Sequence, residues 1–381
     1  MTRPSLTGCW GAGNPGDQRA LELLRCEALR NASSGMPASL VLPPHGACEA
    51  CCGGGSLIGN TVAYNLVARA VAAAGNLDFV DACPICKSTT HALQLLSRAT
   101  PAPSAARAPD FTAAAEIACR AYDKYELAHR LPEWLPEAPR LRRELRLGLQ
   151  AWARGAGFPP LGAPLDDVAV HLRCGDVLKR QHPHYGMLRL DALAALLPRG
   201  AASVGIVTLP FSRTCSACAR WMGVSGGRPH ACPHGRQFDR LCSCACAEVV
   251  AMMVRGLKRV RPDVRITVHD ADGAKRKVDG ELRSWARLAL APAATVCLPS
   301  TFCFWPTMAA VNGHFVASPI IPDAGSLRIP GFHVVSQPPF ASYDELRGLR
   351  RNGKRKAHPG WTGNCTVSPA RMRSWMETLG Y

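Results

Sequence analysis

Apolar residues recur along this chain with two periods, and the period changes near residue 165. In the first stretch the spacing is helical. Val62, Leu66 and Ala70, flanked by Val67 and Val71, share one helix face. The glycine turn Gly53-Gly54-Gly55 precedes this helix, Asn60 can cap it, and Gly75 ends it. A second helix is predicted over Arg140 to Arg154, with Leu141, Leu145, Leu149 and Trp152 inward and Arg142, Arg143 and Arg146 away from them. Val168-Ala169-Val170-His171-Leu172 then forms a continuous apolar run, the pattern of a strand buried on both faces. From Ser203 onward strands alternate with helices. Strands are predicted at 204–209, 264–269 and 295–298. A helix over 248–260 has Val249, Met252, Met253 and Leu257 inward; a further helix includes 285–290, and another covers 304–311. This alternation predicts an α/β fold, with a parallel sheet covered on both faces and ligands at the carboxyl ends of its strands.

With 381 residues the chain exceeds what one core usually supports, so two domains are expected, over 53–195 and 196–340. Residues 1–52 read as a loosely ordered extension, 97–109 as a surface loop, 211–247 as a cysteine-rich insertion and 341–381 as a basic tail. No run of about 20 apolar residues occurs, and Met1 to Pro15 lacks the apolar core of a signal peptide. Membrane association is expected only through a segment not visible here.

The net charge of +17 admits an anionic partner: nucleic acid, membrane surface or phosphorylated small molecule. A general abundance of Arg, Ala, Gly and Pro explains the same excess. Few aromatic residues lie among the basic runs, and the sheet-like pattern fills most of the chain, which speaks against nucleic acid. The 18 cysteines suit disulfides, zinc or neither. Cys48/Cys51, Cys83/Cys86 and Cys215/Cys218 have Cys-x-x-Cys spacing; Cys232, Cys242, Cys244 and Cys246, with His230 and His234, crowd the insertion without a common finger spacing. The tripeptides starting at Asn31 and Asn364 would suit a lumenal protein.

Candidate chemistry sits where the buried strand ends, at His171-Leu172-Arg173-Cys174-Gly175-Asp176. Polar groups there are costly unless they face a cleft or each other. A guanidinium donates two parallel hydrogen bonds to phosphate oxygens and keeps its charge, and Gly175 lets backbone approach a ligand. The alternative is an Arg173–Asp176 ion pair closing a turn. Pro299-Ser300-Thr301-Phe302-Cys303-Phe304-Trp305 is the second such segment: hydroxyls and a helix start for phosphate oxygens, with Phe302 and Trp305 available to a base or to the core.

The first segment resembles the His-x-Arg-x-Gly-Asp motif of the fucosyltransferase-like glycosyltransferases, which include the α-1,2-, α-1,6- and protein O-fucosyltransferases. Leu57-Ile58-Gly59-Asn60 and the helix bearing Tyr64 look like that group's amino-terminal glycine-rich loop, and the segment at 299–305 is similar to its late Ser-Thr-Phe-x-x-Trp stretch. The resemblance spans residues 53–320 through these three islands. It implies a GT-B arrangement of two facing Rossmann-like domains, the first on the acceptor side and the second binding the donor nucleotide. It also implies GDP-fucose as donor, a glycan or glycoprotein acceptor, metal-independent inverting transfer and a Golgi or other secretory location. Arg173 would bind the donor phosphates, with Asp176 a second candidate catalytic residue that could orient Arg173 or the loop; His171 and Gly175 would shape that loop; Ser300, Thr301 and Phe302 would lie against the nucleotide, with Gly59 and Asn60 contributing. Pro306 and the insertion depart from the group's pattern.

Three points stay open. Asp176, His184 and Asp270 are candidates for the base that takes the acceptor proton. His269-Asp270-Ala271-Asp272 could hold a divalent cation, though Gly273 and the basic residues after it read as a turn. The cysteine clusters also admit a zinc-dependent nucleic-acid-binding protein, and the fold alone admits an inactive glycan-binding relative.

Overall fold

The computed structural model of the chain describes residues 59, 74–75, 110–120, 138–160, 164–174, 177–178, 184–208, 237–270, 277–317, 328–335, 340–347, 367 and 369–381. The chain divides into two compact units, Met1–Ala156 with Ser326–Pro330, and Gly157–Gly325 with Gly331–Tyr381.

In the first unit the described residues form helices α1 (Phe111–Arg120) and α2 (Ala138–Gly155). Asp110 starts α1: its side chain accepts from the Ala113 amide at 3.0 Å, and its own amide donates to Gly75 at 2.7 Å. Ala74 is helical and Gly75 follows in a turn, where the sequence predicted a helix end. Most of that helix, with Asn60, lies outside the described residues. α2 buries the predicted stripe Leu141, Leu145 and Leu149.

The second unit is built on a six-stranded, all-parallel sheet of β1 (Val168–Leu172), β3 (Ser203–Thr208), β4 (Arg265–Asp270), β5 (Ala294–Cys297), β6 (Gly313–Val316) and β7 (Phe332–Val335). Their order is β4-β3-β1-β5-β6-β7. The chain thus winds outward from β1 through β3 to β4, returns to the centre at β5 and winds outward the other way, as in Rossmann-like sheets. Sequence reading grouped β1 with residues 53–195. Its two pairing edges are in fact filled by β3 and β5, and all five of its residues are buried. Among the described residues this is the only parallel sheet.

Helix α4 (Gln237–Val260) joins β3 to β4, α5 (Lys277–Leu290) joins β4 to β5, and α6 (Thr301–Ala309) joins β5 to β6. Right-handed crossovers in opposite directions place α4 and α5 on opposite faces. α5 packs on β1 and β3, whereas α4 packs on β4 and receives α3 (Leu190–Ala195) and α7 (Pro369–Thr378). α4 begins well before Glu248, inside the segment read as an insertion.

The segment read as a basic tail is also part of the fold. β8 (Phe340–Ser342) pairs antiparallel with β2 (Gly186–Leu188), a 3-10 turn covers Tyr343–Arg347, and α7 buries Met372, Trp375 and Met376, which share one helix face. Glu248, buried on α4, accepts from Arg373 of α7 at 2.8 Å.

The amino-terminal edge of the sheet is pinned by two adjacent carboxylates. Asp167 accepts from the amides of Ala202 (2.8 Å) and Ser203 (3.0 Å), and its own amide donates to the Ser203 hydroxyl at 2.9 Å. Asp166 meets His269 Nε2 at 2.6 Å across Gly205, and a Cβ at Gly205 would run into that carboxylate. Arg287 lies 3.4 Å from the same imidazole and 4.9 Å over the Phe158 ring.

Candidate active site

β1 and β5 are adjacent, yet the chain leaves them in opposite directions, so their carboxyl ends flank the topological switch point where sheets of this kind bind ligands. His171 and Cys297 are register partners at those ends. Arg173 and Cys174 follow on one side; Leu298, Pro299 and Ser300 lead into α6 on the other. The two segments singled out from the sequence, with Arg173 and Thr301 128 residues apart, are brought together here.

Ser300 is the N-cap of α6. Its backbone is extended (φ −169°, ψ 133°) and its hydroxyl accepts from the Phe302 amide at 3.2 Å. The remaining first-turn amides give this helix start a positive end suited to anions. The His171 ring stacks on Phe302 at 5.3 Å and 29°, which joins the two segments directly; Phe302 in turn meets the edge of Trp285 at 6.1 Å. The Phe302 ring is therefore engaged with His171 and Trp285, and Trp305 is fully buried against Phe304. Of the two roles left open for these rings, packing is the one seen.

Arg173 is 6 % exposed, and its carbonyl accepts from the Tyr343 hydroxyl at 3.1 Å. The carboxyl-terminal segment thus supports the arginine loop, and burial raises the Tyr343 pKa so that its hydroxyl remains a donor. Sequence reading did not single out Tyr343, which has no motif around it. Two disulfides flank the same loops. Cys174, next to Arg173, is bonded to Cys246 on α4, and Cys297 at the end of β5 is bonded to Cys303 in the first turn of α6. Cys246, one of the cysteines crowded in the insertion, is thus paired with Cys174.

No protein-family model, curated protein or solved structure matches the chain.

Burial, and secondarily the Arg173 charge, lower the His171 pKa to about 3, so its imidazole is neutral near pH 7 and a poor proton acceptor. His171, Cys297 and Cys303 also hold potential metal-ligand atoms within 4.8 Å of one another.

The other candidates are scattered. Gly175, Asp176, Asn60, Asp272 and the Cys48, Cys51, Cys83, Cys86, Cys215 and Cys218 pairs lie outside the described residues. Gly59 is buried in the first unit, and His184 is half-buried ahead of β2. Asp270 ends β4 opposite Thr208, two strands from β1, and the adjacent His269 is turned to Asp166. No helix among the described residues is long and apolar enough to cross a membrane.

Proposed function

We propose that this chain is a fucosyltransferase-like glycosyltransferase that binds the diphosphate of a guanine nucleotide sugar, GDP-fucose, at the crevice between β1 and β5. The observation that carries this reading is the side-by-side arrangement of the Arg173 loop and the Ser300-capped start of α6 at the switch point, bridged by the His171–Phe302 contact. A diphosphate there would meet a guanidinium on one side and a helix start with the Ser300 and Thr301 hydroxyls on the other.

In the proposed reaction a hydroxyl oxygen of a glycan or glycoprotein attacks the anomeric carbon from the face opposite the diphosphate, the bond from that carbon to the phosphate oxygen breaks, and the hydroxyl proton passes to solvent as the diphosphate leaves. Transfer then inverts the anomeric centre. Arg173 and the α6 amides stabilise charge gathering on the leaving diphosphate, so the step needs no metal. His171 orders the loop through Phe302 and stays neutral throughout. The GT-B pairing of two Rossmann-like lobes, with the acceptor on the first, belongs to the same proposal. The Cys174–Cys246 and Cys297–Cys303 disulfides support an oxidising compartment, the Golgi or another part of the secretory lumen.

Arg173→Lys keeps the charge and loses the planar fork. Turnover of GDP-fucose is expected to fall by about a hundredfold or more while circular dichroism stays unchanged. Undiminished turnover in the folded variant would remove Arg173 from the site.

A further inference from the structure

The His171–Cys297–Cys303 group lies in the same crevice but carries a chemistry that sugar transfer does not use. Three observations meet there. The side chains are 2 %, 0 % and 0 % exposed, and their ligand atoms lie within 4.8 Å of each other. His171 Nδ1 is buried and has no hydrogen-bond partner among the described residues, a costly state for an imidazole nitrogen. Cys303 is the third residue of α6, where first-turn amides stabilise a thiolate. One imidazole and two thiolates form a donor set that Zn²⁺ takes up in tetrahedral sites.

We propose that in the reduced chain His171, Cys297 and Cys303 bind one Zn²⁺ ion, and that the Cys297–Cys303 disulfide and this metal site are mutually exclusive states of the same two sulfurs. A dithiol reduces the disulfide by exchange: it supplies two electrons and two protons and becomes a disulfide itself. Zn²⁺ then displaces the protons of the two new thiols to solvent, and His171 donates a ring-nitrogen lone pair. The sulfurs, now bonded to each other, would have to separate to roughly 3.7 Å for a tetrahedral ion with Zn–S bonds of about 2.3 Å. The two Cα atoms, 5.6 Å apart, leave room for this by rotation about the Cα–Cβ bonds. Among the described residues the group ends at three ligands. Three protein ligands is the number found in zinc sites that keep one position for water. The reverse exchange, in which an external disulfide takes the two electrons and is reduced to two thiols, would expel the ion and lock the start of α6 to β5. This inference stands on the three side chains alone and does not depend on the transferase reading.

The test is cobalt titration of the whole chain, reduced with dithiol under anaerobic conditions, with Co²⁺ as the spectroscopic stand-in for zinc, followed by zinc content after exchange. Because other cysteines also take up metal, the readout is the difference between the natural chain and Cys297→Ser/Cys303→Ser. The natural chain is expected to bind one more equivalent, with thiolate-to-cobalt absorption from two sulfurs, and to lose that equivalent on oxidation. Equal stoichiometry and absorption in the two chains would overturn the proposal. Should the double variant fail to fold, His171→Asn keeps both cysteines and decides the matter. Its affinity for the same equivalent is expected to drop by more than the roughly ten- to hundredfold that loss of an outer-shell contact costs, and an unchanged affinity would exclude His171 as a ligand.

Discussion

The two ends of β1 solve opposite problems with similar residues. At its start Asp166 and Asp167 are each matched: one by His269 at 2.6 Å, the other by the amides of Ala202 and Ser203. At its end His171 is buried with Nδ1 unpartnered among the described residues, Arg173 is nearly buried beside it, and disulfides fasten the loops on both sides. Polar groups at the amino end complete the sheet, and the hydrogen bonds they make are the reason they are there. At the carboxyl end His171 Nδ1 makes no such bond among the described residues, although it lies at the switch point of the sheet.

Acid distinguishes the ends most strongly. Unfolded His171 takes a proton near pH 6.5, and the folded chain refuses it until about pH 3, so between these values the unfolded state binds more protons. Stability should be unaffected by this group above about pH 6.5 and fall as pH drops through the window, by roughly 1.4 kcal/mol per pH unit at most. Urea midpoints between pH 7 and pH 4 for the natural chain and His171→Leu check this. The natural chain should show the steeper loss, and parallel curves would mean that His171 is not buried neutral.

A smaller loss is expected at the other end. Asp167→Ala removes a charged acceptor from two amides and should destabilise the second unit by about 2 kcal/mol, read as a lower urea midpoint, with nucleotide response intact. Any loss of nucleotide selectivity in that variant would blur the division between the two ends. Smallest is Ser300→Ala, worth about 1 kcal/mol through the lost cap. It tests whether the α6 start serves two purposes: a fall in thermal midpoint accompanied by weaker diphosphate binding says that it does, and a fall alone says that the cap is structural.

Much of the central sheet was legible because β1, β3 and β5 are largely apolar runs and β4 alternates polar with apolar residues, between recognisable turns, and adjacent winding follows from their alternation with helices. The edges were not. β2, β7 and β8 are three or four residues long, too short for a period, and α7 hides its inward Met372, Trp375 and Met376 among polar neighbours. For the site, the strand end at His171 and the helix start at Ser300 were visible as polar residues interrupting apolar runs. The facing of Phe302 depends on Trp285 and His171, far away in sequence. The Cys174–Cys246 bond, 72 residues apart, could not be found from local spacing, which draws attention to Cys-x-x-Cys pairs. Tyr343 joins the Arg173 loop only because β8 returns beside β2.

Thermal unfolding of the natural chain with GDP, UDP, ADP and their sugars, with and without a chelator, tests the central claim most directly. A nucleotide that binds only the folded state adds roughly 2.7 kcal/mol at a hundredfold excess over its Kd. GDP and GDP-fucose are expected to raise the midpoint selectively and independently of chelator. A midpoint unmoved by any guanine nucleotide, or moved only in the presence of free divalent metal, would contradict the diphosphate site at β1 and β5.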